Sequence, residues 1–95
     1  MTPESGKLLL RVVTPNGEAV TLTCDSIRLQ TPDGTDGKNG GWLGIRRGHT
    51  DALIALMAGD IQAWMEGQLL RTLHISDGFA TVKNDVVTVM CNIVE

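Results

Sequence analysis

His49 and His74 are the only histidines in the 95-residue chain, and no other side chain ordinarily changes charge between pH 5 and 8, so general acid–base chemistry would have to start from them. Neither stands in a recognisable constellation. Ser76 follows His74 by two residues but lacks the G-x-S-x-G elbow that exposes and activates a nucleophilic hydroxyl. Asp77 beside it forms a turn with Gly78. His49-Thr50-Asp51 could orient an imidazole, yet a polar turn entering a strand explains the same three residues. Gly37-Lys38-Asn39 invites comparison with a phosphate-binding loop and fails it: Gly34 and Gly37 are too close, no Ser or Thr follows Lys38, and no helix follows. Two scattered histidines and two scattered cysteines, Cys24 and Cys91, carry no metal-ligand spacing and no C-x-x-C pair. The expectation is a chain without catalytic, cofactor-binding or metal-binding residues, whose cysteines are reduced core residues.

Charge and hydropathy narrow the partners. A net charge of -3 and a pI near 5.2 give no field for a phosphate backbone, and the only adjacent basic pair is Arg46-Arg47, so nucleic acid is not expected. No apolar run approaches the roughly 18 to 20 residues that span a bilayer, and MTPESGK lacks the basic start and apolar stretch of a signal peptide. Direct bilayer insertion is not expected, and the chain reads as cytosolic. The aromatics are Trp42, Trp64 and Phe79, too few for a stacking platform; only Trp64 is placed outward by alternation, where a large ring marks contact with another chain.

The elements that hold these residues are short. Pro15-Asn16-Gly17, Pro32-Asp33-Gly34, Gly40-Gly41, Ala58-Gly59-Asp60, Glu66-Gly67, Asp77-Gly78 and Asn84-Asp85 are turn signals, because Gly, Asn and Asp tolerate positive φ and Pro fixes a turn's first torsion. Between them lie segments rich in Val, Ile, Leu and Thr. Ile61, Ala63 and Met65 alternate with Gln62, Trp64 and Glu66, and Ile27 and Leu29 alternate with Arg28 and Gln30. Val86 to Cys91 is almost continuously apolar, which predicts a central strand covered on both faces. Thr50 to Gly59 fits either a short Thr-capped helix or a strand, and strands on both sides favour strand. Thr31 to Gly41 has no apolar residue and reads as a surface loop. The sum is one all-β domain over residues 1–95: a flattened antiparallel β-sandwich of about ten short strands.

Gly41-Trp42-Leu43-Gly44-Ile45-Arg46-Arg47-Gly48-His49 resembles the G-x-L-G-I-x-x-G-H segment of the epsilon subunits of bacterial F-type ATP synthases. Other segments agree in order: Leu8 to Val13, Ala58-Gly59-Asp60-Ile61, Ile75-Ser76-Asp77-Gly78-Phe79, and Val86-Val87-Thr88-Val89. The resemblance covers nearly the whole chain. It implies a non-catalytic central-stalk subunit that binds no cofactor and couples the gamma subunit to the membrane c-ring during ATP synthesis and ion translocation. Such a subunit sits peripherally on the cytoplasmic face of a bacterial inner membrane. It also implies a partner interface, to c-ring or gamma, at Trp42, Leu43, Gly44, Ile45, Arg46, Arg47, Gly48 and His49; the outward Trp64 joins them. Trp42 stands where the family commonly has an acidic residue, Arg46-Arg47 replaces the commoner aromatic or aliphatic residue plus Pro, and the Thr31–Gly41 loop is longer than usual. The family's C-terminal two-helix hairpin, which senses ATP and inhibits hydrolysis, has no counterpart before Glu95, so neither activity is expected here. The residues leave two other readings. A free-standing sandwich binding a small ligand or carbohydrate would use Trp42 and Trp64 near the Gly-rich loop, and a hydrolase would use His49 or His74 with Ser76.

Overall fold

Alternating burial in short segments separated by tight turns produces two stacked sheets. A computed structural model describes residues 6–33, 39–92 and 94. Its strands are β1 (Leu8–Thr14), β2 (Gly17–Cys24), β3 (Ser26–Asp33), β4 (Asn39–Arg46), β5 (Ala52–Leu56), β6 (Gly59–Met65), β7 (Gln68–Ile75), β8 (Gly78–Lys83) and β9 (Val86–Cys91). One sheet runs β2-β1-β9-β8-β5 and the other β4-β3-β6-β7. All neighbours are antiparallel except β1 and β9, which pair in parallel. No helix occurs among the described residues, and the ambiguous stretch after Thr50 is the strand β5.

The inner faces meet in one core. Leu8, Leu10 and Val12 of β1 are fully buried, as are Val87 and Val89 of β9, and they face Ile27 and Leu29 of β3, Ile45 of β4 and Ile61 of β6. The two cysteines are free thiols inside it. Burial pushes the Cys24 thiol up to about 11, with the nearby Asp25 carboxylate adding to the effect.

Two hairpins show why the turn signals matter. Glu66 and Gly67 both take positive φ, 52° and 77°, and Asn84 and Asp85 do the same at 50° and 63°. Paired left-handed residues match the right-handed twist of the strands they join, which makes them the favoured two-residue hairpin connection.

Two expectations need correction. The strand Val86–Cys91 is central, between β1 and β8, but covered on one face only: Val87, Val89 and Cys91 are buried, while Met90 is 41% exposed. Its unbroken hydrophobicity comes from an outer face that is itself apolar. Much of Thr31–Gly41 is ladder, with Thr31 paired to Gly41 and Asp33 to Asn39; residues 34–38 lie outside the described residues. Met65, the last residue of β6, is half-buried where Ile61 and Ala63 are buried; the bulge in the β6–β7 ladder falls at Leu70 of β7 and leaves the alternation of β6 unbroken.

Candidate functional site: two outer faces of the sandwich

The predicted interface segment is strand β4 and the corner after it, and alternation divides it. Leu43 and Ile45 point inward, Ile45 being fully buried, whereas Trp42, Gly44 and Arg46 lie exposed on the outer face of the four-stranded sheet. Arg47, Gly48 and His49 form the corner between the sheets. That corner is held from below: the Gly48 N–H donates to Asp85 Oδ1 at 2.7 Å, the His49 N–H to the Arg46 carbonyl at 3.1 Å, and the Leu9 N–H to the Asp85 carbonyl at 2.9 Å. Trp42 and His49 therefore do not share a patch. Trp42 stands in the middle of β4 and His49 in the corner beyond its end, with about 14 Å of strand, at about 3.4 Å per residue, between Trp42 and Arg46 alone.

The register brings Trp64 to the β4 face. Gly44 sits opposite Arg28, and Ser26 sits between Arg46 on one side and Trp64 on the other. The Arg28 guanidinium lies over the Trp64 ring, 5.7 Å from its centroid, within reach of a cation–π interaction. Together they enclose an open cleft of about 610 Å³ whose lining includes Arg28, Trp42, Gly44, Arg46, Trp64 and Asp25. Nothing lies within 4 Å of where a Cβ on Gly44 would stand, so this glycine leaves a gap between Trp42 and Arg46.

Asp25 pins the Trp64 end. Its Oδ1 accepts from Lys7 Nζ at 2.6 Å, its Oδ2 from the Glu66 N–H at 2.6 Å, and its own N–H donates to the Trp64 carbonyl at 2.8 Å. The ammonium of Lys7, and after it the Glu66 N–H, holds the carboxyl below its ordinary range.

On the other sheet, one row of side chains crosses four strands. Val13, Met90, Phe79 and Ala55 are consecutive register partners on β1, β9, β8 and β5. Phe79 is 53% exposed, and Leu53 in the next row is 71% exposed. The row lines a second shallow depression of about 640 Å³ with Pro15 at its β1 end. Arg11 and Glu18, joined at 2.9 Å, flank it toward the β2 edge.

The acid–base candidates are engaged otherwise. His74 Nδ1 contacts the Asp60 carboxylate across the β6–β7 ladder, and His49 Nδ1 lies 2.7 Å from the Thr50 carbonyl. The Ser76 hydroxyl donates to the Asp77 carbonyl and accepts from the Asn92 N–H at 3.0 Å, which makes it a brace of the β7–β8 corner. No group of three or more His, Cys, Asp or Glu able to hold a metal occurs among the described residues. No helix there is long and apolar enough to cross a membrane.

Sequence reasoning missed Arg28 and the whole apolar row. Arg28 was legible as an outward residue of β3, but only the register shows that it leans on Trp64. The outward phase of Phe79 and Met90 was legible once Ala80 and Val89 are taken as inward; their union into one row depends on which strands are neighbours.

The class defined so far is a two-sheet β-sandwich with two built outer faces, one apolar and one basic and aromatic. A family described as "ATP synthase, Delta/Epsilon chain, beta-sandwich domain" matches residues 7–95. The chain belongs to this family. It is 32% identical over 91 residues to the ATP synthase epsilon chain of Maridesulfovibrio salexigens, covering 96% of this chain and 58% of that one. A Desulfatibacillum aliphaticivorans epsilon chain is likewise 32% identical over 91 residues, 96% of this chain and 60% of the relative. With the Granulibacter bethesdensis epsilon chain the identity is 24% over 83 residues, 87% of this chain and 56% of the other. The chain thus spans less than two thirds of the length of these relatives.

Solved structures share the fold. A chain of the Euglena gracilis mitochondrial ATP synthase (OSCP/F1/c-ring, rotational state 1) superposes with a TM-score of 0.76 at 20% identity, covering all of this chain and 55% of that one. A chain of the Tetrahymena thermophila mitochondrial ATP synthase central stalk and c-ring gives 0.69 at 13% identity, covering all of this chain and 69% of that one.

Proposed function

We propose that this domain is a non-catalytic central-stalk part of a rotary F-type ATP synthase, which fixes the gamma subunit to the membrane c-ring while the rotor turns. The family match across residues 7–95 carries this reading. The physical task is mechanical. Torque passes without slippage only through a rigid body with contacts on more than one side, and a sandwich closed around one core is such a body. The apolar row Val13–Met90–Phe79–Ala55, with Leu53, is the gamma-facing surface: exposed rings and thioethers in a continuous patch mark a protein contact. Trp42, Gly44, Arg46 and Trp64 form the second contact face, Arg47, Gly48 and His49 its corner, and Leu43 and Ile45 its support from within. The subunit would be peripheral, on the cytoplasmic face of a bacterial inner membrane, reaching the c-ring without entering the bilayer.

Co-expression with the cognate gamma subunit tests this. A complex that survives affinity purification through gamma supports the reading, and recovery of gamma alone would refute it. The cleft beside Trp42 and Trp64 favours a second reading, a sandwich that binds a small ligand or carbohydrate. Sugar stacking needs an uncovered aromatic face, however, and Arg28 already covers Trp64.

A further inference from the structure

The cleft on the four-stranded sheet has a chemistry of its own. Its floor is Gly44, without a side chain, and along β4 it is bounded by Trp42 on one side and Arg46 on the other. Arg28, whose Cα is opposite Gly44, lines the same cleft and holds its guanidinium over the Trp64 ring. No carboxylate among the described residues forms an ion pair with Arg28 or Arg46; the ion pairs there are Lys7–Asp25, Arg11–Glu18 and His74–Asp60. The one acidic side chain among the described residues of the lining, Asp25, has both oxygens engaged, by Lys7 and by the Glu66 N–H, so its charge is already answered. Two cations without a counter-charge among the described residues therefore face an open cleft in a chain whose net charge is -3.

We propose that this cleft, built by Arg28, Trp42, Gly44, Arg46 and Trp64, is a recognition site for an acidic segment of a partner protein, with a carboxylate side chain seated over Gly44 between the two guanidiniums. Charge complementarity carries the choice of occupant. Guanidiniums match carboxylates through paired N–H donors, and they are the preferred cations wherever a carboxylate is taken from water beside an aromatic wall. The occupant must also be slender, because only the missing side chain of Gly44 opens the gap. An extended strand carrying Glu or Asp fits, and β4, at the edge of its sheet, has one side without a neighbouring strand among the described residues, along which such a segment can run. The inference takes from the rotor reading only that the partner is a protein. It is measured without gamma or c-ring, so the two can fail separately.

The purified chain carries its own reporter. It has two tryptophans and no tyrosine, and both tryptophans line the cleft, so intrinsic tryptophan emission reports on this site alone. Titration with a synthetic Glu-rich decapeptide is expected to give a saturable change in emission that weakens as salt is raised. A Lys-rich decapeptide and inorganic phosphate are the comparison probes and should give none. Arg46→Ala is expected to weaken the peptide about tenfold or more, with Arg46→Lys between it and the wild type. Gly44→Val should abolish the response while leaving the melting temperature unchanged or raised, since a β-branched residue suits an exposed strand position and nothing obstructs its Cβ. The proposal is overturned by any of three results: no saturable response to the Glu peptide, an equal response to phosphate or the Lys peptide, or undiminished binding by a folded Gly44→Val chain. Binding of phosphate alone would mark a generic anion site instead.

Discussion

Gly78→Ala places one methyl group against backbone, and its cost follows from distances. Gly78 opens β8 and sits in the sheet between Leu56 of β5 and Cys91 of β9. An ideal Cβ there would stand 2.0 Å from the Met90 carbonyl oxygen, 3.1 Å from its carbon and 3.2 Å from the Cys91 Cα. The atoms in the way are main chain of a central strand, so no side-chain rotation relieves the contact. β8 and β9 must separate by about 1 Å at this end, which costs roughly 1–3 kcal/mol as overpacking plus about 1 kcal/mol for a weakened ladder hydrogen bond. Reduced chain entropy in the unfolded state returns about 0.4–1 kcal/mol. The net loss is on the order of 2–3 kcal/mol, which for a domain of this size lowers Tm by about 10–20 °C. Thermal melting followed by circular dichroism measures it, with Gly44→Ala as comparison. The Gly44 Cβ would meet nothing within 4 Å, and its melting midpoint should move by less than about 4 °C. A Gly78→Ala midpoint within that same margin would refute the clash argument.

Other perturbations read other parts of the structure. Val89→Asp puts a charge on a fully buried position between Val12 and Ala80 and should abolish the cooperative melt, because the several kcal/mol of desolvation rival the roughly 5–14 kcal/mol that holds such a domain together; an unchanged melt would contradict its burial. Asp25 has a folded-state pKa depressed from its ordinary 3.8, so the unfolded chain takes up the proton first as pH falls, and stability drops from about pH 3.8 downward. Asp25→Asn should remove that part of the acid slope in urea titrations run across pH. Cys24 runs in the opposite direction. Its thiol is raised from 9.0 to about 11, both states are protonated below 9, and the unfolded chain ionises first above it, so stability should fall by on the order of 2 kcal/mol between pH 9 and 11. A Cys24→Ala chain that retains the full alkaline slope would refute this.

The legible part of the fold was what period and punctuation encode. Glu66-Gly67 and Asn84-Asp85 announced hairpins because few residue pairs accept two positive φ angles, and Ile27-Arg28-Leu29 announced its faces because a strand alternates. Neighbour relations were not legible: a pattern assigns a side chain to a face without naming the strand beside it. Hence the parallel β1–β9 pairing was not foreseen, and the strand Val86–Cys91 was expected to be covered twice. The candidate site shows the same division. The motif around Leu43-Gly44-Ile45 singled out β4, but the cleft exists only because the register sets Arg28 beside Gly44 and Ser26 beside Trp64. The apolar row on the other sheet needs three strand pairings before it becomes continuous, and no local pattern contains them.

The claim that this sandwich works through its faces is tested most directly by calorimetric titration of the cognate gamma subunit with the wild-type chain and with Phe79→Asp. Phe79 is half exposed, so the substitution should leave the fold intact while placing a charge in the middle of the apolar row. The account predicts wild-type binding at micromolar Kd or tighter and a loss of about tenfold or more in the variant. No binding by the wild type, or equal binding by a folded Phe79→Asp chain, would contradict it.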